Sequence, residues 1–163
     1  MRKMSLATLA ALGVVWSAPA LASAEVRVAV APDLQAKAEH KYGVRDVDRL
    51  AASLRRSVER ELGRTGAYDG ARLELTLVDV KPNRPTFKEL GDRPGLSFQS
   101  FGLGGAQIEG RAIGPDGSVT PLSYRWYESD IRQAAHASTW SDAERTINQF
   151  AYRLGRGQVL AER

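Results

Sequence analysis

The chain offers few residues capable of chemistry. It carries two histidines, His40 and His136, and no cysteine. Without cysteine there are no disulfides, no thiol nucleophile and no thiolate metal ligand. His136 follows Glu128 and Asp130, and two carboxylates with one imidazole are a donor set that suits zinc or manganese. The spacing E-x-D-x5-H matches no ligand pattern of a helix or a metal loop, so neither a metal nor any other cofactor is expected. Ser138, His136 and Asp130 supply the groups of a Ser-His-Asp triad, but no nucleophile elbow or oxyanion element accompanies them. Glu128 and Asp130 as a glycosidase pair are no better marked, because acidic residues at a strand end ordinarily just solvate it. The expectation is a non-catalytic protein; a hydrolase using the Glu128–His136 segment is the alternative.

Binding residues are easier to nominate. Trp126, Tyr127 and Trp140 form the densest aromatic group, and with Arg125 and Glu128 beside them they suit a platform for a glycan or peptide. The competing account is that Trp126 and Trp140 pack the last helix onto a sheet. Lys81–Leu103 holds three prolines and three glycines, with Phe87, Phe98 and Phe101 interleaved. Loops of this length in compact domains are often functional. Arg84, Lys88 and Arg93 give the segment a basic cast. It reads as a binding loop or as an ordered loop whose phenylalanines cap the core. Gly102, Gly104 and Gly105 precede a strand rather than link a strand to a helix, so they do not read as a phosphate cradle.

The elements that position these residues follow from periodicity. Gly104–Glu128 predicts a β-hairpin around Pro115-Asp116-Gly117, with Pro at the second turn position and Gly at the left-handed bulge position. Pairing outward from Gly114 opposite Ser118 sets Ala106, Ile108, Gly110 and Ala112 against Trp126, Tyr124, Leu122 and Thr120 on a dry face. Gln107, Glu109 and Arg111 then oppose Arg125, Ser123 and Pro121 on a polar face, and a one-residue slip would mix the two. Glu25–Ala31 and Ala71–Val80 alternate as strands. Leu34–Arg45 is ambiguous, with a helical turn in QAKAEHK. Between the two strands, Val47, Leu50, Ala51, Leu54, Val58 and Leu62 form one stripe of a helix over 46–64. Its arginines, Arg49 to Arg64, read as a solvated face. Strand, helix, strand implies a crossover that packs the helix on the sheet. Ser129–Ser138 reads as a loop. Ala143, Ile147, Phe150, Ala151 and Leu154 mark a last helix over 140–155, with a capping box at Ser141 and Glu144.

The N-terminus carries Arg2 and Lys3, an apolar run Leu6–Trp16, and Ala22-Ser23-Ala24. This pattern predicts a secretory signal peptide over residues 1–24, cleaved before Glu25. Its apolar core is shorter than the roughly 20 residues a bilayer span requires. Two of the 23 basic residues lie in that leader, so the remaining chain has 21 against 19 acidic ones, a net of +2. The high pI is therefore no nucleic-acid signature, and charges of both signs are interspersed. Residues 25–163 form one domain-sized unit. The expected location is periplasmic or secreted, with no stable membrane insertion after cleavage. An envelope protein or a cell-wall component is the expected partner.

The runs SYRWYESDI and TWSDAERTINQFAYRLGR resemble the C-terminal half of a loose family of small bacterial secreted proteins and lipoproteins of unknown function. The resemblance covers about Gly104 to Arg156 and implies an α+β envelope domain. It supplies no activity and no catalytic residues. The lipid-accepting cysteine of many such proteins is missing here. The expected fold is an α+β two-layer sandwich, with a four-stranded, mainly antiparallel sheet and two helices on one face, its other face open.

Overall fold

A computed structural model describes residues 23–158. The leader expected at residues 1–24 falls almost wholly outside the described residues; Ser23 and Ala24 run directly into the first strand. Four strands form one sheet in chain order, β1 (Glu25–Val30), β2 (Arg72–Lys81), β3 (Gly105–Ile113) and β4 (Val119–Tyr127). β1 and β2 are parallel, and the other two pairs are antiparallel. The parallel pair requires a crossover. It is supplied by α1 (Pro32–Lys37), a π-helical turn at Ala38–Tyr42, and the 22-residue α2 (Val44–Thr65). Three further helices follow: α3 (Phe87–Asp92), α4 (Ile131–Ala134) and α5 (Ser141–Leu154).

Helices α2 and α5 cover one face of the sheet, as their stripes predict. Val47, Leu50, Leu54, Val58 and Leu62 are buried against Ala143, Ile147, Phe150, Ala151, Leu154 and the inward strand residues. Truncating a fully buried leucine such as Leu54 to Ala should cost about 2–5 kcal/mol. α2 runs through Gly63 and stops at Gly66, whose positive φ of 69° lets the backbone turn out of the helix.

The hairpin register is the expected one, from Ala106 opposite Trp126 to Ala112 opposite Thr120. Gly114 and Ser118 close it, and Gly117 has φ 82° at the bulge position. A Cβ at Gly110 would meet the Glu74 carbonyl at 2.3 Å and Leu75 at 2.9 Å, so the slim strand is what lets the leucine-rich one lie close.

The expectation of two helices needs correction to five. Pro32, at the first helical position, starts α1 with its fixed φ. Thr86 and Glu89 form a capping box that starts α3 inside the segment read as loop. Asp130 accepts from the Arg132 amide and starts α4 inside the segment 129–138. The capping box expected at Ser141 is absent: the Ser141 hydroxyl instead accepts from the Ser138 amide at 2.8 Å, outside the helix.

Strict alternation in β2 also breaks. The pairing shifts between Leu77 and Asp79, so Val78 is an extra residue in the strand. Such a bulge reverses the side-chain alternation beyond it. Asp79, which would otherwise follow Leu73, Leu75 and Leu77 into the core, turns onto the open face opposite Gln107.

Candidate functional site

The nominated residues fall into three places. The first is the open sheet face. Tyr127 lies across Gly105, where a Cβ would meet the Tyr127 ring at 2.5 Å. Its hydroxyl donates to Asp79 Oδ2 at 2.8 Å, and Lys37 Nζ sits 2.7 Å from Asp79 Oδ1. Lys81 Nζ stands 4.8 Å from the centre of the Tyr127 ring. Burial, and then the Asp79 carboxylate it donates to, push the Tyr127 phenol well above its usual range. The hydrogen bond to Asp79 likewise raises Lys37. Elsewhere on this face Glu74 pairs with Arg111 and Arg72, and Gln107 donates to Glu109. The Arg111 hydrogen bond holds Glu74 below the ordinary carboxylate range. Arg125 is exposed in the same row as Gln107 and Asp79.

The second place is the turn after β4. Glu128 Oε1 accepts from the amides of Ser129 and Asp130 at 2.8 and 3.0 Å, while Oε2 faces Arg145 at 3.8 Å. Asp130 is held by Arg132 in a two-pronged pair at 2.9 and 2.7 Å, which lowers its pKa. His136 is exposed beyond α4. Among the described residues, no three His, Asp or Glu side chains are grouped to hold a metal ion. Trp140 is buried, edge-on to Tyr42 with 5.8 Å between ring centres, and its indole N–H donates to Asp46 at 3.4 Å. Trp126 carries Arg145 over its ring. The two tryptophans and Tyr127 therefore do not share one platform: Trp140 is in the core, and Tyr127 is on the opposite side of β4 from Trp126.

The third place is the segment from Pro82 to Leu103, and here the geometry is unlike a mobile loop. Asn83 is 1% exposed and Asp142, in the first turn of α5, is 8% exposed. The Asn83 amide donates to Asp142 Oδ2 and to the Gly102 carbonyl, and its own oxygen accepts from the Asp142 amide at 3.0 Å. Asp142 Oδ2 also accepts from the Gly104 amide at 3.2 Å. A Cβ on Gly104 would stand 2.5 Å from Asn83 Oδ1, so only glycine admits this closure. Both ends of the segment are thus stapled to one carboxylate. Arg84 adds a second clamp, donating to the carbonyls of Ala137, Ala135 and Phe98 at 2.6, 2.7 and 3.0 Å.

On this fixed base the apolar side chains face outward. Phe87 is 82% exposed and Phe98 is 66% exposed, and the two rings meet edge-on at 6.0 Å. Leu96, Phe101 and Leu103 are exposed as well. The phenylalanines do not cap the core. Lys88 pairs with Asp92 at 2.9 Å within α3, and Arg93 is exposed at its C-cap. Arg84, nominated as a ligand-binding residue, has its guanidinium occupied by three carbonyls.

Sequence reasoning missed Asn83 and Asp142, since a single Asn and a single Asp some sixty positions apart carry no local signal. It also missed the capping box at Thr86, although T-x-x-E is there to read.

No family model matches the chain, and no curated protein does. A solved structure, described as a "putative lipoprotein from Caulobacter crescentus CB15", aligns over 85% of this chain and 89% of its own, with 16% identity and a TM-score of 0.40. A likeness that loose carries no argument about what either protein does.

Proposed function

We propose that the protein is a non-catalytic binding module of the bacterial envelope and that its contact surface is the stapled segment around Phe87 and Phe98. The observation that carries this reading is two largely exposed phenylalanines on a backbone tied down by buried polar contacts. A contiguous exposed apolar patch opposes solubility, and such patches mark contact sites. A loop held by Asn83, Asp142 and Arg84 presents them with little ordering cost on binding. The leader-like N-terminus supports the envelope as the setting. Against the hydrolase alternative, Glu128 is occupied by two backbone amides and Asp130 by Arg132, so neither carboxylate is poised as a base.

The test is co-sedimentation of purified protein with isolated envelope fragments. Wild type and Arg125→Ala should pellet alike, and the double substitution Phe87→Ser, Phe98→Ser should lose roughly tenfold in association. Equal pelleting of all three, with the double variant still folded, would overturn the assignment.

A further inference from the structure

We infer that this aromatic surface docks on an anionic lipid surface, an inference that rests on the binding reading above and names its partner. The patch is a run of exposed chain. Phe87 opens α3, Phe98 stands against it, and every residue from Gly91 to Gln99 is exposed. An exposed pair of rings at this aromatic tip can enter the headgroup region, where aromatic side chains sit at the boundary of apolar and wet phases.

The charge around the tip is positive on balance. Lys41, Arg84, Lys88 and Arg93 stand at its base, Lys41 being joined to it through Glu89 at 3.8 Å and through its carbonyl, which accepts from Thr86. The acidic residues of the helix are Glu89 and Asp92. Glu89 is buried, bonded to the Thr86 amide and facing Lys41, while Asp92 is paired with Lys88. Arg84 is bonded to carbonyls only, so its positive charge has no carboxylate beside it. The collar therefore keeps a surplus of positive charge, the complement of phosphate headgroups. No helix among the described residues is long and apolar enough to cross a membrane. Two or three rings with a few cations give a weak, reversible hold rather than an anchor.

The experiment is sedimentation of the purified protein with phosphatidylcholine vesicles, with and without phosphatidylglycerol, at low and high salt. Wild type should bind the anionic vesicles, release as salt rises, and bind neutral vesicles roughly tenfold or more weakly. Phe87→Ser with Phe98→Ser, and separately Lys88→Glu with Arg93→Glu, should each lose roughly tenfold, with unchanged melting temperatures confirming the fold. No binding to anionic vesicles at low salt overturns the inference, as does binding that ignores both lipid charge and the substitutions. If vesicles fail but envelope fragments still capture wild type and release the phenylalanine variant, the partner is a protein or wall polymer. In that case the lipid inference falls while the contact surface stands. If neither captures the protein, both fall.

Discussion

The open sheet face and the segment Pro82–Leu103 are both exposed, yet they meet water in opposite ways. On the sheet the exposed groups satisfy each other: Asp79 holds Tyr127 and Lys37, Glu74 holds Arg111, and Gln107 holds Glu109. Most of that face's polar side chains are thus paired within the face itself. In the segment the polar groups that hold the backbone are buried, and large apolar side chains are outside. Asn83 and Asp142 are spent on holding the backbone, and Phe87 and Phe98 are left in solvent. Exposure alone therefore does not nominate a contact surface; what matters is whether the exposed groups are already satisfied.

The largest effect expected from breaking this contrast is at the staple. Asp142→Ala removes the acceptor for Asn83 and the Gly104 amide, both buried, and should cost about 3 kcal/mol in urea unfolding. It should also expose the segment 86–103 to proteolysis. A loss under about 1 kcal/mol would mean the segment is not held as described.

A smaller effect belongs to the sheet. Tyr127→Phe should cost about 1 kcal/mol by removing one hydrogen bond to a charged acceptor. Its pH dependence has a defined sign. Because folding raises the Tyr127 phenol, its contribution is complete below the ordinary tyrosine range near pH 10 and declines as pH rises above it. Lys37, also raised, acts in the same direction. The wild type should lose stability above about pH 10 more steeply than Tyr127→Phe, as followed by thermal melting across that range.

Smaller still is Arg111→Ala. The Glu74–Arg111 pair is on the surface and screened by solvent, so its loss should barely move the urea midpoint. Least of all in stability is Phe87→Ser with Phe98→Ser, within about 0.5 kcal/mol of wild type, because rings that face water in the folded state gain little from folding. The same substitution should have the largest effect on envelope association. That inversion, in which the residue pair least important to stability matters most to contact, separates the two regions most sharply.

Much of the fold was legible in the sequence because it was written in local periodicity. The hairpin register followed from Pro115-Asp116-Gly117 and the small-to-large matching across Gly110 and Leu122. The α2 and α5 stripes followed from spacing alone. What was not legible depended on long-range or single-residue events. The Val78 bulge that turns Asp79 outward breaks a period without a sequence marker. The Asn83–Asp142 staple joins residues that only the folded chain brings together. Ser141 matched a capping pattern, but its hydroxyl is taken by Ser138, whereas the same pattern at Thr86 is used. Of the nominated residues, Lys88 and Arg93 lie beside the aromatic tip, Arg84 and Glu128 hold backbone, and Arg125 and Tyr127 lie on the open sheet face, Tyr127 bonded to Asp79.

The most direct test of the contact surface is oxidative footprinting of the side chains, with and without envelope fragments. Phe87 and Phe98 should react readily in the free protein and be shielded when fragments are present, while Pro121 and Tyr127 on the sheet react equally in both. Shielding of Pro121 and Tyr127 with Phe87 and Phe98 unchanged would contradict the account and move the contact surface to the sheet.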